Sequence, residues 1–212
     1  MVIRHSLLLA VAVVAASSCG GSDDTEATAP ASVPTTTPAP ATSGAAQAGD
    51  ASPVIETGAF LVGKTLQPGT YVTAGPVSVG CHWERLRAAS SQADDVIAAK
   101  DVTGQAIVEV LPTDVVFSSS GCEPWTLLDG ARAVDSFGDG DWAVGQQVAP
   151  GRWTTDGDPN ALGCQWERAS GFTHGDREVV ADGNPEGPTT VDIEADDVRF
   201  TTDGCGTWRR DE

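Results

Sequence analysis

The residues best suited to chemistry in this 212-residue chain occur twice. Glu84 and Glu167 sit in the phrases GCHWERL (80–86) and GCQWERA (163–169). Asp114 and Asp197 lie in VEVLPTDVVFSSSGCEPW (108–125) and VDIEADDVRFTTDGCGTW (191–208). Two carboxylates about 5 to 10 Å apart can cleave a glycosidic bond, one as acid and the other as nucleophile or base. On that reading Glu84 would work with Asp114, and Glu167 with Asp197, in an envelope hydrolase. The arginines of the same phrases offer another use: Arg85 with Asp114, and Arg168 with Asp197, locking strands together as fork-shaped ion pairs. Each copy would have to hold a complete catalytic site, which is unusual for small tandem domains, so the pairing is the expectation. Glu84 and Glu167 then remain as candidate contacts of a polar binding groove.

Other chemistries find little to build on. The histidines are His5, His82 and His174, and His82 in one copy faces Gln165 in the other. No histidine-based mechanism is therefore shared, and a Ser/His/Asp or Cys/His site has no anchor. Zinc would call for paired Cys and His at short spacing, which do not occur. Asp156, Asp158, Asn160 and Glu167 have the spacing of calcium-loop ligands, but Ala161 replaces the glycine of the turn and Glu167 falls on a strand. A looser cation site among Asp139, Asp141, Asp156 and Asp158 is the lesser alternative to solvated turn acids. No phosphate-cradling glycine loop is present. No metal, cofactor or catalytic residue is expected, and the chain reads as non-enzymatic.

The elements that position these residues are themselves duplicated. FLVGKTLQPGTYVTAG (60–75) matches WAVGQQVAPGRWTTDG (142–157), and from Gly80/Gly163 to Trp125/Trp208 the copies run at a constant offset. A unit of about 65–70 residues repeated once means two small domains. Apolar and polar residues alternate in VDIE (191–194) and DVRF (197–200), and Pro68-Gly69 and Pro150-Gly151 mark turns. No helical period is present. The expected fold is all-β: two tandem, disulfide-stapled β-sandwich or barrel modules.

On a strand, Cys81, Trp83 and Arg85 share one face, and His82 and Glu84 the other. Cys81, Cys122, Cys164 and Cys205 allow three connectivities. Pairing within copies, Cys81 with Cys122 and Cys164 with Cys205, keeps the modules equivalent and independent. Such a staple is worth about 4 kcal/mol in the chain-entropy model, a large share for domains with thin cores. The chain has six Trp, one Tyr and five Phe. All but Phe137 and Phe172 fall at equivalent positions, which favours core roles. Trp125 and Trp208, at the ends of the copies, are expected to be partly exposed and are candidate ligand contacts.

The set V-G-x-x-x-x-P-G-x-aromatic, G-C-x-W-E-R and D-V-x-F-x-x-x-G-C-x-x-W resembles a repeat module of secreted and lipid-anchored actinobacterial proteins. It covers nearly all of residues 58–209. The resemblance implies location and architecture, and carries over no catalytic residue.

The N-terminus fits that location. Residues 1–18 read as a secretory signal, too short to span a bilayer. Ala16-Ser17-Ser18-Cys19 resembles a bacterial lipobox, with Ala16 where Leu is usual. Lipidation of Cys19 also leaves an even number of cysteines; plain secretion is the alternative. Residues 19–57 are Ala, Pro and Thr-rich and should form a disordered tether. Module 1 is expected over 58–126, a linker over 127–137 and module 2 over 138–209. With 30 acids against 12 Lys and Arg, a formal charge of −18, nucleic acid is excluded as a partner. The expected protein is a surface lipoprotein held to the bilayer through Cys19, presenting two modules to cell-wall glycan or an envelope protein. A purely structural spacer is the further alternative.

Overall fold

The computed structural model describes residues 54–78, 80–90, 92–130, 132–158 and 162–211. The signal, Cys19 and the tether up to residue 53 lie outside the described residues, as do Asn160 and Ala161. The fold is all-β. Module 1 contains β1 (Gly58–Leu61), β2 (Gly69–Thr73), β3 (Cys81–Leu86), β4 (Val96–Val102), β5 (Ala106–Val110), β6 (Val116–Ser120) and β7 (Thr126–Leu127). Module 2 contains β8 (Ser136–Phe137), β9 (Gly140–Ala143), β10 (Gly151–Thr155), β11 (Gln165–Ala169), β12 (Val179–Gly183), β13 (Thr189–Ile193), β14 (Arg199–Asp203) and β15 (Trp208–Arg210). In module 1 the strand orders are β1-β6-β3-β4 and β5-β2-β7, and in module 2 β9-β14-β11-β12 and β13-β10-β15-β8. The strands pair antiparallel throughout these sheets.

Alternation decides which side chains fill each sandwich. In β3, Cys81, Trp83 and Arg85 are buried while His82 and Glu84 are half-buried on the other face. Trp83 and Phe117 from one sheet meet Tyr71, Val108 and Val110 from the other in the first core. The second core gathers Trp153, Val191, Ile193, Phe200 and Trp208. Disulfides join Cys81 to Cys122 and Cys164 to Cys205, each within one copy and each inside its core.

Three expectations need correction. Trp125 and Trp208 are wholly buried. Each indole N–H donates to a buried hydroxyl, Ser119 Oγ at 3.0 Å and Thr202 Oγ1 at 2.9 Å. Each ring stands edge-on to Phe117 or Phe200. With its single donor satisfied internally, the indole has nothing left to draw it to the surface. The span 127–137 is also not all linker, because Leu127 pairs with Tyr71 and Phe137 with Trp208. Phe137 is the aromatic hub of module 2, against Trp142, Trp153, Phe200 and Trp208. Its counterpart is Ile55, which bridges Trp125, so module 1 begins earlier than residue 58.

Nor are the modules independent: the described residues of both fall in one compact unit. Buried Ile107 of module 1 packs with Ala143 and Phe172 of module 2, flanked by Val72, Leu128 and Val198. A parallel bridge joins Gln105 to Gly140. Edge strand β5 would otherwise present unpaired backbone groups to water. Module 2 covers it: Glu109 N donates to Phe172 O at 2.8 Å, and Ile107 N donates to Asp141 Oδ2 at 3.1 Å.

Candidate functional site

The docking of the modules creates a cleft of about 580 Å³. One wall is the outer edge of module 1, Ala99 to Thr103 along and just beyond β4. The other is the outward face of β14, β11 and β12, carrying Thr201, Glu167 and Asp182, with Asp203, Asn184 and half-buried Trp166 beside them. Cross-strand register aligns that second wall. Thr201 faces Glu167, and Glu167 faces Asp182.

Behind the lining residues Lys100, Thr201 and His174 sits Asp141, fully buried near the start of module 2. Its Oδ1 accepts from Lys100 Nζ and Thr201 Oγ1, both at 2.7 Å. Its Oδ2 lies 3.4 Å from His174 Nε2, which donates to Ile107 O at 2.8 Å. Burial alone would raise the Asp141 carboxyl. The charges of Lys100, His174 and Arg199, with the His174 hydrogen bond, outweigh it and hold the group well below the ordinary carboxylate range. Buried Arg199 donates to Glu167 Oε1 at 2.6 Å, which fixes that carboxylate at the cleft wall. Thr103 Oγ1 donates across the modules to Asp203 at 2.6 Å.

The loop that delivers His174 is built for this position. His174 holds a left-handed φ of 57°, tolerable for histidine only with support. Glu178 supplies it, accepting from Thr173 N, Thr173 Oγ1 and His174 N. Arg85 adds a bond across the junction, Nη1 to Thr173 O at 2.7 Å.

The expected site residues fall in different places. Glu167 lines the cleft. Glu84 lies on the outer face of module 1, 3.2 Å from His82 Nε2. His82 Nδ1 also meets Asp101 at 2.8 Å. Burial acts to lower His82, but Asp101 and Glu84 outweigh it and raise its pKa above the ordinary value. Trp125 and Trp208 are core. Asp114 is buried and receives Arg85 on both oxygens, at 2.7 and 2.9 Å, and Leu111 N at 2.8 Å. Asp197 is held by Arg168 in the same way. These ion pairs occupy the carboxylates on the interior side of the strands, away from Glu84 and Glu167.

Among the described residues no group of three or more His, Cys, Asp and Glu is placed to hold a metal ion. Of the acids weighed as a loose cation site, Asp141 is enclosed by Lys100 and His174. Asp156 lies 3.6 Å from Arg209, and Asp158 accepts from Gly163 N. Burial and the charge of Asp203 raise the Asp139 carboxyl. Lys100 and His174, which line the cleft, and Asp141 and Arg199, buried behind it, are not marked by the repeat; Asp141 entered the sequence reading only as a loose cation ligand.

The repeat itself matches a known family. The model of the Rv1352-like extracellular domain fits residues 52–126 and again 135–209, well over half of the sequence. The chain belongs to the Rv1352-like extracellular domain family. It is 32% identical over 99 residues to protein Rv1352 of Mycobacterium tuberculosis (strain ATCC 25618 / H37Rv), covering 40% of this chain and 80% of that protein. The same values hold for protein Mb1387 of Mycobacterium bovis. No solved structure matches. The family places both modules outside the cytoplasm.

Proposed function

We infer that this chain is a non-catalytic binding protein of the cell envelope, anchored to the membrane through acylated Cys19, which takes a hydroxyl-rich ligand in the cleft between its modules. The observation that carries the reading is the cleft itself. Its walls offer carboxylates, an amide and hydroxyls in one row of open sheet surface, groups that bond sugar hydroxyls. The acids Asp101, Glu167, Asp182 and Asp203 outnumber the cations, which favours a glycan bearing amino groups. The duplicated Asp114 and Asp197 are engaged by Arg85 and Arg168, which supports binding over hydrolysis.

Calorimetric titration of the full chain with cell-wall glycan fragments and amino-sugar oligosaccharides tests this. Binding should occur, weaken with salt, and fall at least about tenfold in Asp182→Ala and Asn184→Ala. Absence of heat and of any Trp fluorescence change across the panel, or binding untouched by both substitutions, would remove it. Mass spectrometry of the mature protein tests acylation: a free or absent Cys19 would leave plain secretion.

A further inference from the structure

Because the two modules are copies, the surface that module 2 uses to dock has a counterpart on module 1. Ala143, Phe172 and Val198 provide module 2's apolar contacts at the junction. The copy-to-copy alignment puts Leu61, Ala89 and Val115 at those positions of module 1. Nothing covers them among the described residues: Leu61 is 40% and Val115 37% exposed, and Ala89 is exposed too. Leu61 and Ala89 border a hollow of about 380 Å³ on the outer face of β1, β6 and β3, walled also by Leu86, Val116 and Ala59. Module 2 carries Asp141 and Arg199 where this face has Ala59 and Val116. Module 1 therefore presents the more apolar version of a face that this fold already uses for packing one module on another.

The receiving surface has a counterpart too, and it decides what can occupy the hollow. Module 1 receives module 2 on Val72, Ile107 and Leu128. The matching positions of module 2 are Thr154, Thr190 and Asp211, with Thr154 facing Thr190 across the strand pair as Val72 faces Ile107. Module 1's receiving surface is filled, and module 2's is polar, as at the end of a repeat array. Head-to-tail growth between chains lacks an apolar receiver. What remains is the same face on a second copy, meeting itself about a two-fold axis. The rim suits such a pairing in a chain this acidic: Glu84 borders the hollow, exposed Lys64 lies in the turn after Leu61, and exposed Arg87 directly follows the end of β3.

We propose that the outer face of module 1, centred on Leu61, Ala89 and Val115, is the self-association surface of a two-fold dimer. Sedimentation velocity on the full mature chain, with Cys19→Ser so that no acyl group drives association, reads this directly. Runs from about 1 µM to about 500 µM should pass from monomer to dimer. Raising salt should strengthen the dimer, since two strongly acidic chains repel: removal of residues 1–18 takes Arg4 and no acid from a sequence of charge −18. Leu61→Glu, and Ala89→Arg as a variant at an exposed turn, should each weaken dimerisation about tenfold or more. Thr190→Glu, on module 2's polar receiving edge, should leave it unchanged. Near-UV circular dichroism confirms that each variant is folded. A monomer at every concentration overturns the proposal and leaves the face to a different partner. A dimer lost in Thr190→Glu, or kept in both Leu61→Glu and Ala89→Arg, overturns it equally.

Discussion

His174 of the second module stands edge-on to Trp83 of the first, with ring centroids 4.9 Å apart. The indole is wholly buried, whereas its copy Trp166 is half-buried and stacked on Phe200 at 6.3 Å. Arg85 and Arg168 differ likewise: Arg85 donates to Thr173 across the junction, and the Arg168 side chain stays 15% exposed. One sequence phrase thus has two environments, because module 2 caps module 1 and nothing described caps module 2.

Asp141 should be the most sensitive point of that cap. Replacing it with Ala removes the acceptor of Lys100, Thr201 and Ile107 N from a site with no water access. A loss of about 3 kcal/mol is expected, at the low end for a broken buried pair because Lys100 is partly exposed. Guanidinium unfolding compared with wild type measures it.

The same carboxyl gives the junction an acid limit. Asp141 has a depressed pKa when folded and an ordinary one when unfolded, so its contribution is fully present above the ordinary carboxylate range. It is lost as pH falls through the depressed folded value. Stability should therefore fall below about pH 4, and fall less steeply in Asp141→Asn. Equal acid slopes for the two proteins would show that other carboxylates dominate.

His82 should titrate in the opposite sense. Asp101 and Glu84 favour its charged form, so NMR should place its midpoint above 6.5. The stability it adds is present at low pH and lost as pH rises through that midpoint. The group is substantially exposed and the effect on stability small; Asp101→Asn should return the midpoint toward 6.5.

Matches between the copies read out the fold, and mismatches hold the site. Cys81/Cys164, Trp83/Trp166, Arg85/Arg168 and Phe117/Phe200 agree in type because each sandwich needs them internally, so strands, staples and ion pairs were legible from the repeat. Asp141, His174, Phe172 and Arg199 stand opposite Ala59, Ser91, Ala89 and Val116. They serve a junction that exists once and that a search for duplicated residues passes over. Contact between the modules could not be read from periodicity, since alternation says which face is buried but not against what. Trp125 and Trp208 were misplaced for a related reason: a position at the end of a copy in sequence is central when the last strand pairs with β2 or β10.

Removing either terminal indole should accordingly unfold a module. Trp208→Ala is expected to cost about 3–5 kcal/mol, and Trp208→Phe less, with Thr202 left without its donor. Iodide quenching offers a second reading: Trp142 and Trp166, the two half-buried indoles, should account for most of the accessible fluorescence, while Trp125 and Trp208 contribute almost none.

Each disulfide closes a span with a sequence separation of 41, and its loss as a Cys→Ala pair should cost about 4 kcal/mol in the chain-entropy model. The two losses should not be equal in outcome. Module 1 is supported by module 2 along β5, so the Cys81/Cys122 variant should retain more structure at 37 °C than the Cys164/Cys205 variant. Hydrogen exchange resolved by module would distinguish them.

The junction also rests on a close approach of two backbones. A Cβ at Gly104 would overlap the carbonyl oxygen of Asp139 in module 2, whereas at the matching Gly187 a Cβ would meet nothing within 4 Å. The two glycines are equivalent in their modules, so Gly104→Ala and Gly187→Ala differ mainly in whether another module lies opposite. Gly104→Ala should push the modules apart, expose Ile107 and lower the unfolding midpoint, while Gly187→Ala should be neutral or slightly stabilising. Backbone exchange at Ile107 and Glu109, whose N–H groups donate to Asp141 and Phe172, is the direct readout: it should rise in the first variant and stay protected in the second. Equal protection in both would mean that the modules do not meet at Gly104.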